Sequence, residues 1–319
     1  MNILLTGASG FLGRNFILAS PTQWNILAIY AHDNSFPEFV SRAGRPNVKP
    51  VRCDLSESQQ IRTALKEHGK NWDCCLYLAS KVDIPWSVKE PRLDLTLNVG
   101  SLLNLLSEVR ADHFIYMSSG AVYDGLNGEV HPGIALNPTL PYAISKLASE
   151  HYVRFHHTRA GNIGGFTIAR FFGAYGPYEA PHKIYTRLIR TFALEGKNSY
   201  AIYGDGSNLI DAMYVDDATH ALQAMVNGAC RNQTIDLAAG TPMPVGTLVR
   251  QIAGILGVKE LQLKTEGIAH ESIRFWASPT VMQDNGFTVA IPLHEGITRL
   301  REFLSAGQKE PAFSLVRGS

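Results

Sequence analysis

Gly7, Gly10 and Gly13 recur at three-residue intervals directly behind the apolar run Ile3, Leu4 and Leu5. Such a run, without polar alternation, suits a strand buried on both faces, as in a parallel sheet. Phe11 to Ala19 reads as a helix. Strand, glycine loop and helix form the context in which a glycine pattern becomes a phosphate site. Gly7 permits the tight turn, Gly10 removes a side chain where a pyrophosphate must approach, and Gly13 lets the helix pack close to the strand. The helix start then offers free N–H donors and a positive dipole end. Gly7, Ser9, Gly10, Phe11 and Leu12 are the candidate dinucleotide contacts.

Apolar strands recur at 26–30, 48–53, 74–79 and 113–117, with helical patterns between them, and again at 166–172 and 235–237. The alternation predicts an α/β fold, a doubly wound parallel sheet of Rossmann type covered on both faces by helices. Ser56 is expected to cap the helix of 56–68, with Gln59 in the capping-box place. An acid usually meets the ribose hydroxyls roughly 20 residues past the glycines. Here Tyr30, Ala31 and His32 fill that region and Asp33 comes slightly late. An acid would repel a 2′-phosphate, so the expected cofactor is NAD(P), with NADP favoured over NAD. His32, Arg42 and Arg45 could supply positive partners, or they could be solvated loop residues.

A helix is predicted to begin at Tyr142 and run to about residue 159. Tyr142 and Lys146 are four apart and share one face of it. Ser119 stands at the end of the strand of 113–117. A phenol titrates near 10, and bringing it to neutrality requires roughly 4 kcal/mol, which a partly desolvated cation nearby can supply. Tyr142 would take the proton of a substrate hydroxyl as hydride leaves the same carbon, with Ser119 holding the substrate oxygen.

These motifs resemble the extended short-chain dehydrogenase/reductase family of nucleotide-sugar epimerases and dehydratases. The resemblance rests on Thr6-Gly7-x-x-Gly10-x-x-Gly13, Asp54-Leu55, Ser118-Ser119-Gly-Ala-Val-Tyr123 and Tyr142-x-x-x-Lys146. It continues through Ala169-Arg170-Phe-Phe-Gly-Ala-Tyr-Gly176-Pro177, Tyr203-Gly-Asp-Gly206 and Tyr214-Val-Asp-Asp217. It implies Ser119 as the catalytic hydroxyl, Tyr142 as acid/base and Lys146 as ribose contact. It implies Asp54 and Leu55 near the adenine, with Ala79, Lys81 and Asn98 along the cofactor. Homodimers through helices such as 94–110 and 142–160 are implied as well.

Departures from the family pattern narrow the chemistry. Dehydratases carry an acid just after the catalytic hydroxyl, where this chain has Gly120 and Ala121. Nucleotide-sugar enzymes usually place Arg before Asp211, where Ile210 stands, and a second Arg near Ile268. Position 173 is Gly where a substrate-binding Asn is common. A diphosphate needs positive, bidentate partners. Lys183, Arg187 and Arg274 are the remaining candidates, beside Lys81, Ser119 and Gly120 for the rest of the substrate.

The expected organisation is a dinucleotide-binding domain of 1–172 plus 209–240 and a smaller substrate lobe of 173–208 plus 241–312. Asp216 and Asp217 are expected to cap the helix of 218–225. The net charge of +1 gives no pull toward nucleic acid or membrane surfaces. No apolar run is long enough to span a bilayer. The strand beginning at residue 2 leaves no room for a signal peptide, and cysteines 53, 74, 75 and 230 show no metal spacing, so a metal-free cytoplasmic protein is expected. The final Val-Arg-Gly-Ser resembles a vector remnant. Three functions remain in view. They are a nucleotide-sugar epimerase working through a transient keto intermediate, an NADPH-dependent reductase of a keto-sugar or other carbonyl compound, and a cofactor-sensing protein without catalysis.

Overall fold

The computed structural model describes residues 1–267 and 273–307. Its centre is a seven-stranded sheet of β1 (Asn2–Thr6), β2 (Asn25–Tyr30), β3 (Val48–Arg52), β4 (Asn71–Tyr77), β5 (Arg110–Ser119), β6 (Ile163–Phe171) and β7 (Gln233–Leu237). The spatial order is β7-β6-β5-β4-β1-β2-β3, and neighbours pair in parallel throughout. The order reverses next to β1, whose carboxyl end is where open α/β sheets bind ligands.

The apolar runs are buried on both faces, as their lack of alternation predicts. Ile3 and Leu5 enter one core cluster with Phe16, Ile17 and Leu222. Leu4 enters another with Leu65, Leu102 and Val153 on the opposite face. A third cluster lies outside the sheet and joins Tyr185, Leu188, Tyr200, Leu248, Ile252, Ile297 and Leu300.

Several elements differ from the sequence reading. The helix implied over 94–110 is split into Pro91–Leu95, a π-turn at Thr96–Gly100 and Ser101–Leu106. The helix at Tyr142 starts one residue earlier, as Pro141–Phe155, because proline is suited to the first turn. A short strand, Asn127–Val130, lies between Ser119 and Tyr142 and pairs in parallel with Arg274–Ala277.

Ser56 does not cap a helix. The Asp54 carboxylate accepts both its backbone N–H and its hydroxyl, and the helix Ser58–His68 begins beyond that turn. Asp216 and Asp217 lie inside the first turn of Val215–Val226 rather than ahead of it. Asp217 accepts the N–H groups of Ala290 and Ile291, and Asp216 pairs with Arg299 at 2.9 Å. They tie the segment before Leu293–Gly307, and that helix itself, to Val215–Val226. Ile268 and the last twelve residues, 308–319, lie outside the described residues.

Candidate active site

The glycine loop is shaped by contacts that leave no room for side chains. Gly7 has φ +65°, and a Cβ there would come within 2.7 Å of the Ala79 backbone nitrogen. The loop is thus pressed against the exit of β4. A Cβ on Gly13 would lie 2.5 Å from the Gly7 carbonyl oxygen, so the helix Phe11–Ala19 sits directly on the loop it follows. Gly10 is exposed, and its Cβ would meet only that same oxygen, at 3.2 Å. This open cradle at a helix start, on the switch point of the sheet, fits a dinucleotide pyrophosphate. Phe11 and Leu12 pack from the loop toward the third cluster.

At the end of β2 the structure places Asp33. Burial works against its ionisation, but hydrogen bonds from Ser35 and Arg14 hold its carboxyl below the usual range. Arg14 also donates to the Ser9 carbonyl at 3.0 Å, and its guanidinium lies 4.3 Å from the Phe39 ring centroid. His32 is exposed, 3.9 Å from the Asp54 carboxylate, and Leu55 is buried behind it.

The Asn98 side chain holds the β4 exit. Its Oδ1 accepts from Ser80 Oγ at 2.8 Å and from the Lys81 N–H at 2.9 Å, while its Nδ2 donates to Asp94 at 2.8 Å. Lys81 is exposed, with its ammonium 4.9 Å over the Trp86 ring.

Ser119, Tyr142 and Lys146 come together at the carboxyl end of β5. Ser119 Oγ accepts the Ala121 N–H at 3.1 Å, which starts the turn of Gly120–Tyr123. The side chains of Ser119 and Ser80 both face the Tyr142 hydroxyl and favour its ionised form. Lys146 is buried one helical turn further on, where its Nζ donates to the Met117 carbonyl at 2.6 Å and lies 4.6 Å over the Tyr116 ring. Burial opposes the acidification expected of the phenol and pushes Tyr142 up to about 12, against the pull of Ser119 and Ser80 and with the Asp94 charge adding to the rise. Burial likewise pushes Lys146 down to about 7, opposed by Glu150 and Asp94. Both groups have lost water, and the ammonium is committed to a carbonyl.

The charged substrate candidates are more scattered. Arg187 is exposed, with its Nε donating to the Tyr200 hydroxyl at 2.5 Å. Lys183 is exposed just ahead of the helix Ile184–Ile189. Arg274 is exposed on the strand beside the turn that follows Ser119.

Behind the site runs a buried polar network that the sequence reading did not find. Arg170 binds Glu150 through Nε at 2.9 Å and Nη2 at 2.8 Å, and Ser118 Oγ donates to Glu150 at 2.7 Å. Arg170 Nη1 donates to the Tyr123 hydroxyl at 2.9 Å, and that hydroxyl donates to Asp236 at 2.8 Å. β5, β6, β7 and the helix of Tyr142 are thereby tied together. Ser80 and Asp94 were also missed. The signals were the position of Ser80 beside Ala79 and Lys81, and the spacing of Asp94 four residues before Asn98.

The model of the NAD-dependent epimerase/dehydratase family matches residues 3–236. The chain belongs to that family. Among members of this epimerase/dehydratase family, a dTDP-glucose 4,6-dehydratase of Xanthomonas campestris is 27% identical over 272 residues, covering 79% of this chain and 75% of the relative. A putative UDP-glucose 4-epimerase of Methanocaldococcus jannaschii is 25% identical over 312 residues, covering 93% and 96%. The UDP-glucose 4-epimerase of Thermotoga maritima, solved with UDP-glucose, superposes with a TM-score of 0.83 at 23% identity, covering 97% of this chain and all of that one. The fold is that of a Rossmann-type epimerase/dehydratase, and the chain is an NAD-dependent enzyme of this family. Among the described residues, no helix is long and apolar enough to cross a membrane.

Proposed function

We propose that the protein is a nucleotide-sugar epimerase. The observation that carries this reading is the packing of Phe172 against Gly120. A Cβ on residue 120 would lie 3.1 Å from that ring, so an acid at the position where dehydratases of the family carry one would require the ring to give way. Ala121, next in line, offers no acid either. Elimination lacks a proton-abstracting partner, while oxidation and return reduction need only the hydroxyl pair that is present.

Bound nicotinamide supplies the reversible hydride acceptor of this chemistry. The chain's own part is proton control. Ser119 holds the substrate hydroxyl, and Tyr142 takes its proton to leave a keto-sugar. After the keto-sugar turns in the cleft, Tyr142 returns the proton to the opposite epimer. Ser80 steadies the Tyr142 hydroxyl, and Lys146 provides the positive charge that favours phenolate. Asp33, ionised at the end of β2, supports NAD. The lean toward NADP rested on finding no acid at that place.

We also infer a division into the dinucleotide domain of 1–172 plus 209–240 and a substrate lobe, with 268–272 and 308–312 outside the described residues. The third core cluster supports this division. A homodimer through helices such as 94–110 and 142–160 is supported by exposed Leu95, Ile144, Tyr152 and Phe155. Four unpaired cysteines suit a reducing cytoplasm.

A carbonyl reductase is the second reading, favoured by Ile210 and Gly173. Ile210 pairs with Met243 in a short ladder. Gly173 has φ +151°, with Ala212 3.3 Å from where its Cβ would be. Neither position offers a cation or amide to a diphosphate. Incubation with UDP- and dTDP-sugars and NAD tests the reading. Interconversion of epimers with no net change in nicotinamide absorbance is expected. Steady consumption of reduced cofactor would identify the reductase, and a keto-deoxysugar product would identify a dehydratase.

A further inference from the structure

Asp94 is fully buried, at 0% exposure, on the short helix Pro91–Leu95, and the scheme above gives it no part. It accepts hydrogen bonds from Ser145 Oγ at 2.7 Å and from Asn98 Nδ2 at 2.8 Å. Ser145 is the residue before Lys146. Asn98 accepts from Ser80 Oγ, and Ser80 in turn faces the Tyr142 hydroxyl. One carboxylate therefore stands at the end of two short polar paths, one to each member of the reacting pair. A charge out of water persists only where hydrogen bonds and opposite charge hold it. Lys146, itself 2% exposed, is a cation on which Asp94 acts.

We propose that Asp94 is a positioning residue for Tyr142 and Lys146, fixing both through Ser145, Asn98 and Ser80 and keeping Lys146 an ammonium by its charge. The proposal rests on reading those two residues as the reacting pair. Other groups face Lys146 as well. Glu150, one turn along Pro141–Phe155, pulls in the same direction, but it is matched by Arg170 at 2.8 Å and Arg154 at 3.4 Å. From β5, Tyr116 presents its ring and Met117 its carbonyl. Tyr142 meets Ser119 from β5 and Ser80 from the β4 exit. Asp94 is held by an uncharged hydroxyl and an uncharged amide, so its charge is less divided than that of Glu150. Removing it relieves repulsion on the phenolate and withdraws support from the ammonium, so both groups should lose their protons at lower pH.

The test compares the full chain with Asp94→Asn, without substrate. Carbon-13-labelled lysine reports Lys146, assigned by the signal missing in Lys146→Met. Ultraviolet difference titration against Tyr142→Phe reports the phenolate. In Asp94→Asn both midpoints should fall, that of Lys146 by about one pH unit, a tenfold change in proton affinity. Ser145→Ala, which keeps the charge, should leave the Lys146 midpoint in place. An unmoved Lys146 midpoint in Asp94→Asn overturns the proposal. Should that variant not fold by circular dichroism, Asp94→Thr replaces it. Loss of folding in both marks a purely structural acid and overturns the proposal too. The titrations need no turnover. A native chain that converts no sugar nucleotide would remove the epimerase reading and leave the titration result standing.

Discussion

The Phe172 ring covers Gly120, leaving 3.1 Å to where a Cβ on that glycine would stand. An acid built there must displace the ring. Gly120→Asp should therefore lose about 1–3 kcal/mol of stability through overpacking. Thermal unfolding checks this. Combining it with Phe172→Ala should recover part of the loss that the two single changes add up to, since the residues touch.

The glycines of the first loop should separate folding from cofactor binding. Gly7→Ala puts a Cβ at φ +65° and 2.7 Å from the Ala79 backbone, and should destabilise by more than about 1 kcal/mol. Gly10→Ala meets only the Gly7 oxygen at 3.2 Å, so it should melt close to the native chain while NAD raises its melting temperature less. Melting curves with and without NAD measure both. Equal losses of stability in the two variants would contradict this account.

Tyr142→Phe removes the hydroxyl that faces Ser119 and Ser80. Turnover should drop by about 10²–10⁴, the usual range for a positioned acid/base group. The stabilisation by NAD should remain. Product formation from the responsive sugar nucleotide is the measurement.

Glu179 supplies a pH dependence of stability. Burial pushes its carboxyl from 4.5 up to about 7, against hydrogen bonds from Thr186 and the charge of Lys183. The folded chain keeps a proton that the unfolded chain releases above 4.5. Its stabilising contribution is thus complete below that value and is lost as pH rises to about 7, by at most about 3 kcal/mol. Glu179→Gln, which keeps an acceptor for Thr186, should flatten that part of the curve of melting temperature against pH.

Ile144 and Phe155 are 47% and 49% exposed on the helix of Tyr142. If this face joins two copies, Ile144→Asp combined with Phe155→Asp should give a monomer by light scattering at unchanged helix content. An identical mass for variant and native chain would remove the proposed interface.

What could be read from the sequence was what depends on near neighbours. The glycine loop, the apolar runs of the sheet and the Tyr142–Lys146 spacing are local patterns, and each appears in place. The capping role of Ser56 failed because Asp54, two residues back, competes for the same hydroxyl and N–H. The strand Asn127–Val130 was hidden because its partner, Arg274–Ala277, is far along the chain. Asp94 gave no signal of its own, because Ser145, which donates to it, lies 51 residues along the chain. Spacing says that an ammonium is near Tyr142, not that a carbonyl engages it.

The seating of Gly13 on the Gly7 carbonyl has a practical side. With the first turn wedged between its own helix and the β4 exit, an attempt to swap one nicotinamide coenzyme for the other has nothing to gain from editing that turn. The place open to such engineering is the far rim of β2, where Asp33, Ser35 and Arg14 meet and the acid's side chain is 33% exposed.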